Sequence, residues 1–83
     1  MVTCYTLVTV QPSKDFQIID EIKSFSQVKE VITTYGEYDM ILKIEVENLD
    51  ALDNFIFTKL RAVEGIELTT TLINAIVPKT QDK

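Results

Sequence analysis

The feature that most constrains this chain is the order of its hydrophobic periodicities, which switch from strand-like to helix-like and back twice. Apolar residues alternate with a period of two in the strand-like segments and recur every three or four residues in the helix-like ones. The resulting order is strand, helix, strand, strand, helix, strand within 83 residues. It predicts an α+β, ferredoxin-like βαββαβ fold with a four-stranded antiparallel sheet and both helices on one face.

The predicted domain covers residues 1–78, and residues 79–83 form a polar tail. Strands are predicted at residues 2–10, 28–35, 38–47 and 66–77, and helices at residues 14–25 and from Asn48 onward. Ser13 and Asn48 are side chains that can cap a helix N-terminus. The buried stripes are predicted to be Phe16, Ile19, Ile22 and Phe25 in the first helix and Leu49, Leu52, Phe55, Ile56 and Leu60 in the second.

Apolar residues occur on both faces of several predicted strands. Strand three alternates cleanly, with Tyr38, Met40, Leu42, Ile44 and Val46 on one face. In strand two, Val28 shares a face with Ile32, opposite Val31. In strand one, Val2, Cys4, Val8 and Val10 oppose Tyr5 and Leu7, and in strand four, Ile66, Leu68, Leu72 and Ile76 oppose Ile73, Ala75 and Val77. The helices can cover one set only, so the other set predicts a dimer that associates sheet to sheet.

The charge balance and the missing residue types exclude several functions. A net charge of −5 has the wrong sign for direct binding to nucleic acid. The chain has no histidine, which predicts no metal site, no cofactor and no nucleophilic catalysis. Its one cysteine, Cys4, is predicted to be a small core residue. A single cysteine also indicates a reducing, cytoplasmic setting, and no apolar run is long enough to span a membrane.

Two stretches are candidate ligand contacts. In the glycine hairpin, the carboxylate of Asp39 can receive an ammonium group, backbone N–H groups near Gly36 can receive a carboxylate, and Tyr35 or Tyr38 can wall the pocket. Alternatively, Gly36 only makes the turn and Asp39 only holds it. Thr69, Thr70 and Thr71 are the second stretch, with Thr70 on the face opposite the other two, and their hydroxyls suit a polar ligand or simply a strand.

The sequence resembles the effector-binding (RAM) domain of the Lrp/AsnC family of feast/famine transcriptional regulators. The resemblance rests on Val28-Lys29-Glu30-Val31, Tyr35-Gly36-Glu37-Tyr38-Asp39, Leu52-Asp53-Asn54-Phe55-Ile56, Val63-Glu64-Gly65-Ile66 and Thr69-Thr70-Thr71-Leu72-Ile73. It implies homodimers forming αβ-barrels, their assembly into rings, commonly octamers, and an amino-acid effector held between dimers. By position it points to Tyr35, Gly36, Tyr38 and Asp39, with Thr69, Thr70 and Thr71 opposite.

Strand one begins at Val2, whereas full-length regulators of that family place a helix-turn-helix domain before this module. The resemblance therefore implies a stand-alone module that senses an amino acid or joins full-length regulators in mixed assemblies. Two other functions fit the same fold. One is an ACT-like regulatory module of amino-acid metabolism, and the other a small dimeric αβ-barrel enzyme, which would require a catalytic group such as the histidine that this chain lacks.

Overall fold

The computed structural model describes residues 1–73 and confirms the predicted order of elements and the fold class. The elements are β1 (Val2–Val10), α1 (Asp15–Lys23), β2 (Val28–Thr33), β3 (Met40–Val46), α2 (Leu49–Phe55) and β4 (Ile66–Ile73). The four strands form one antiparallel sheet in the order β2-β3-β1-β4. The last four residues predicted for strand four, 74–77, and the predicted tail, 79–83, lie outside the described residues.

The two helices begin in different ways. Asn48 caps α2 as predicted, because its side-chain oxygen accepts the Ala51 N–H at 2.8 Å. The predicted cap of α1 is wrong. Ser13 has a left-handed backbone, with φ of 68°, and its hydroxyl donates to the Pro12 carbonyl, so that Lys14 precedes the helix without a side-chain cap. A turn built on Pro12 and Ser13 thus separates β1 from α1.

The buried stripe of α1 also differs from the prediction. Ile18 and Ile22 are its fully buried residues, Ile19 is half-buried, and Phe16 is 86% exposed. Residues two apart lie about 200° apart around a helix, so burying Ile18 turns Phe16 toward solvent. The helix ends at Lys23, and Phe25 follows it in the connection to β2, half-buried.

The stripe of α2 is confirmed at its last four positions. Leu52, Phe55, Ile56 and Leu60 are buried, whereas Leu49 at the start is 55% exposed. The helix continues into one π-helical turn (Ile56–Leu60), closed by a bond of 2.9 Å from the Arg61 N–H to the Ile56 carbonyl. The ring of Phe55 meets that of Phe25 edge to face at 5.5 Å, which joins the two helical segments over the sheet.

One sheet face forms the core under the helices. Met40, Leu42, Ile44 and Val46 of β3 are buried on it, as predicted, beside four residues of β1: Cys4, Thr6, Val8 and Val10. The Thr6 hydroxyl forms a hydrogen bond of 3.1 Å with the hydroxyl of Thr71 in β4. Cys4 is a buried free cysteine, as predicted, and burial raises the pKa of its thiol, an effect that a hydrogen bond with Thr6 opposes.

Two register shifts correct the predicted face assignments. The ladder of β2 with β3 skips Lys29, so Val28 and Val31 both face the helices while Ile32 faces away. The ladder of β1 with β4 skips Glu67, so Ile66 lies opposite Val10 on the helix side while Leu68 and Leu72 face away. An extra residue in one strand leaves the next residues on the opposite face, which simple alternation does not predict.

The face away from the helices is called here the open sheet face. It consists of Thr3, Tyr5, Leu7 and Thr9 of β1, Glu30 and Ile32 of β2, Ile41, Lys43 and Glu45 of β3, and Leu68, Thr70 and Leu72 of β4. Its apolar members remain accessible in the single chain, with Tyr5 at 38%, Leu68 at 57% and Leu72 at 53% exposure. The predicted apolar second face is therefore present.

Candidate functional site

The hairpin between β2 and β3 is closed by hydrogen bonds at its base. The Thr34 N–H donates to the Asp39 carbonyl at 2.9 Å, and the Thr34 hydroxyl donates to the Tyr38 carbonyl at 2.6 Å. Gly36 has φ of 120°, in the left-handed range that favours glycine. The loop of the hairpin lies between Thr34 and Asp39, and the Tyr35 side chain at its tip is fully exposed.

Asp39 ties this hairpin to the neighbouring strand. Its backbone N–H donates to the Val8 carbonyl, and its carboxylate oxygen Oδ2 accepts the Val10 N–H, both at 2.8 Å. Asp39 is half-buried. The carboxylate therefore anchors the end of β1, and its bond is to β1 and not to the Gly36 turn. A carboxylate has about four acceptor positions, so one bond fixes its orientation without exhausting its capacity.

A groove of ≈ 630 Å³, called here the hairpin groove, lies between this hairpin and the start of α1. Its walls are Thr33, Thr34, Tyr35 and Asp39 on the hairpin side, and Ser13, Asp15, Phe16 and Ile19 on the helix side. Volumes of about 300–1,000 Å³ are typical of sites for small molecules. The groove combines hydroxyls, two carboxylates and aromatic surface, and it can therefore hold a small polar ligand that carries positive charge.

The structure brings together some of the predicted contacts and separates others. Tyr35 and Asp39 line the hairpin groove, whereas Gly36 and Tyr38 belong to the same loop and are not part of its lining. A Cβ built on Gly36 would meet no atom within 4 Å, so its backbone is open to approach. The hairpin candidates are therefore neighbours, with the groove on one side of them.

The threonines of β4 lie away from this groove within one chain. Thr69 is opposite Val8 of β1, and Val8 is opposite Met40, the residue after Asp39. Two strand spacings, roughly 10 Å, therefore separate Thr69 from the hairpin strand. Thr70 lies on the open sheet face and Thr71 on the helix face, as their alternation predicted, with the Thr71 hydroxyl bonded to Thr6.

Sequence reasoning missed the helix wall of the groove. Helical spacing predicts Asp15 and Phe16 in α1 and Phe16 in its buried stripe, because spacing alone does not show which apolar residues meet the core. Ser13 was assigned a capping role that it does not have. A usable signal was present, since Ile18 and Ile22 lie four residues apart and define an alternative stripe that leaves Phe16 outside.

A second groove, of ≈ 480 Å³, lies at the opposite end of the sheet. Its polar lining mixes both signs of charge, with Lys29 and Lys59 beside Glu45 and Glu47. None of the predicted ligand contacts lines it. Within residues 1–73, no cluster of three or more cysteine, aspartate or glutamate side chains is arranged to hold a metal ion. No helix in the same range is both long and apolar enough to cross a membrane.

Comparison with known proteins identifies the relatives of this chain. A family model described as the Lrp/AsnC ligand binding domain matches residues 3–81. The HTH-type transcriptional regulator FL11 of Pyrococcus furiosus is 31% identical over 72 residues, which cover 87% of this chain and 47% of the regulator. The chain spans about half the length of the curated relatives it matches. These relatives are transcriptional regulators and not enzymes.

Solved structures agree with this relationship. The crystal structure of FFRP-DM1 matches with a TM-score of 0.87 and 36% identity, over 90% of this chain and 100% of that chain. The transcriptional regulator NMB0573 of Neisseria meningitidis, solved in complex with L-methionine, has a TM-score of 0.83 over 98% of this chain and 54% of its own. At 16% identity, that second likeness shows the fold alone. The family match and the first structure together show that the chain belongs to the Lrp/AsnC family through its ligand binding domain.

Proposed function

We propose that this chain is an effector-binding module that holds an amino acid in the hairpin groove and associates through its open sheet face. The observation that carries the proposal is the position of Asp39, a half-buried carboxylate that a backbone N–H orients in the wall of the groove. A carboxylate held in this way is a pre-oriented acceptor for the ammonium group that every free amino acid carries.

The rest of the groove suits the other parts of such a ligand. Thr33 and Tyr35 line it and carry hydroxyls that can donate to an α-carboxylate, whereas the Thr34 hydroxyl already donates to the Tyr38 carbonyl. Tyr35 and Phe16 offer ring surface to an aliphatic or aromatic side chain. The amino-acid class is also supported by the complex of the Neisseria regulator with L-methionine, which has the same fold.

The open sheet face supports the association of two chains. Its apolar residues lie on all four strands, with Leu72 directly opposite Tyr5 and Leu7 directly opposite Ile41. Packing two such faces together removes this surface from water. We therefore propose a homodimer in which the two sheets enclose a common core, and a ring of dimers in which threonines of β4 approach the hairpin of a neighbouring chain.

The proposed biological role is regulatory. The relatives are transcriptional regulators about twice as long as this chain, which supports a role in signalling amino-acid supply to DNA-bound regulators, by mixed assembly with full-length members. The acidic composition favours contact with proteins over direct contact with DNA. The proposed compartment is the cytoplasm, where the buried thiol of Cys4 would remain reduced.

A titration of the twenty amino acids by calorimetry, with melting curves beside it, tests the proposal. Asp39→Asn should weaken binding of the best ligand about tenfold to a hundredfold, the loss expected for one charge-assisted hydrogen bond. The melting temperature should change little, because the asparagine oxygen can still accept the Val10 N–H. Glu37→Gln is the matched control, since it removes the same charge from an exposed position of the same hairpin.

Two outcomes for Asp39→Asn would contradict the proposal. Equal affinity for Asp39→Asn and wild type would remove Asp39 from the binding site and leave it as an anchor of β1 only. A fall in melting temperature that matches the loss of affinity would have the same meaning, because it would show that binding failed through the fold.

A further inference from the structure

We infer that the hairpin groove selects a basic amino acid, and that Asp15 is the anchor for the positive charge on its side chain. The inference rests on the proposed function, because it takes Asp39 as the partner of the α-ammonium group. It concerns the opposite wall of the groove, where α1 begins.

The charge of the groove supports this selection. Two of its eight lining residues are carboxylates, Asp15 and Asp39, and none is lysine or arginine. An amino acid with a neutral side chain carries one ammonium group and one carboxylate, so it would pair with one of these aspartates and leave the other without a cation. A ligand with two positive groups matches both carboxylates, and an acidic amino acid would face two like charges.

The two carboxylates lie on opposite walls. Asp15 is in the first turn of α1, and Asp39 closes the hairpin between β2 and β3. A ligand that touches both must therefore span the groove with charges at two separated points. The side chains of lysine and arginine have this form, since a flexible aliphatic chain separates their charged end from the α-ammonium group.

Apolar surface lines the same groove as the two carboxylates. Ile19 is half-buried in the helix wall, and the rings of Phe16 and Tyr35 are 86% and 106% exposed at the rim. Basic side chains bury their aliphatic stems along such surface while the charged end stays near water. A cationic group close to either ring would also be attracted by its π face. Contact with a basic ligand thus gives these exposed aromatic residues a function, because they do not pack in the core of the single chain.

A purely structural role for Asp15 is the alternative. A negative charge in the first turn of a helix is favoured by the helix dipole, and α1 has no side-chain cap. In that case Asp15→Asn would lower the melting temperature and would change the affinity for every amino acid to the same small extent. A comparison of two ligands that differ only at the end of the side chain separates these cases.

The test uses L-lysine and L-norleucine, which has the same unbranched stem without the terminal ammonium group. In calorimetric titrations of the full chain, L-lysine should bind at least about tenfold more tightly than L-norleucine, and L-glutamate more weakly than either. Asp15→Asn should bring the affinities for L-lysine and L-norleucine close to each other. Asp20→Asn, which removes the same charge from an exposed position of α1 outside the groove, should keep the preference for L-lysine.

Other outcomes overturn the inference. Equal binding of L-lysine and L-norleucine by the wild type would show that the groove does not recognise a basic side chain. A preference for L-lysine that persists in Asp15→Asn would remove Asp15 from the site. Binding of L-norleucine that is weakened by Asp39→Asn, without any preference for L-lysine, would overturn this inference and leave the proposed function standing. Failure of all twenty amino acids to bind would overturn both.

Discussion

Replacing Leu72 with glutamate is the sharpest test of the open sheet face. Leu72 is 53% exposed in the single chain, and it lies on that face in the edge strand β4, directly opposite Tyr5 of β1. A glutamate there would carry a charge into the proposed contact between two sheets. Because Leu72 points away from the helices, the substitution should leave the core of each protomer intact.

The expected magnitude follows from the exposed fraction. Full burial of a leucine side chain contributes about 1.5–3 kcal/mol. Burying the remaining half therefore contributes about 0.8–1.5 kcal/mol per protomer, or about 1.6–3 kcal/mol per dimer, because a two-fold contact uses the residue twice. That loss alone weakens association by roughly tenfold to a hundredfold, and burial of two unpaired carboxylates adds to it.

Sedimentation velocity over a range of concentrations measures the effect. The wild type should sediment as a dimer or a larger assembly at micromolar concentration, and Leu72→Glu should shift toward the monomer. Leu49→Glu is the matched control, since Leu49 is 55% exposed at the start of α2, away from the open sheet face. Equal sedimentation of both variants and the wild type would show that the open sheet face is not the association surface.

Four further predictions concern the fold itself. Gly65→Ala should lower the free energy of unfolding by about 1–3 kcal/mol, because φ is 101° and the new Cβ would lie 2.7 Å from Ile18 Cδ1. Gly36→Ala, strained but with nothing within 4 Å, should cost less in the same urea titrations. Asn48→Ala should cost about 1 kcal/mol through loss of the α2 cap, and an unchanged urea midpoint would contradict that role. Burial raises the pKa of the Cys4 thiol, so the folded state holds this proton more tightly than the unfolded state. Stability from Cys4 should therefore be complete below pH 9.0 and decline above it, and an equal decline in Cys4→Ala would exclude the thiol as the cause.

The local signals of the chain determined the secondary structure and the fold class. The alternation in β3, the oxygen of Asn48 before α2 and the glycine between β2 and β3 each act within a few residues, so the sequence shows them directly. Two strand–helix–strand units in succession then leave few ways to bury one face of the sheet. The agreement in the order of the elements has this origin.

Tertiary structure decided the positions that depend on partners distant in sequence. The skipped residues Lys29 and Glu67 change which neighbours face the helices, and only the pairing of whole strands reveals them. Ile18, and not Phe16, meets the core because the start of α1 is set by its packing on the sheet.

The candidate site shows the same division. The sequence predicted Tyr35 and Asp39 as ligand contacts because a glycine hairpin with aromatic and acidic neighbours is a local pattern. It could not show that Asp39 accepts the N–H of Val10, 29 positions away, or that Asp15 forms the facing wall of the groove. Those relationships exist only after the sheet has brought β1, the hairpin and α1 together, because hydrogen bonds and groove walls depend on distance in space and not on distance along the chain.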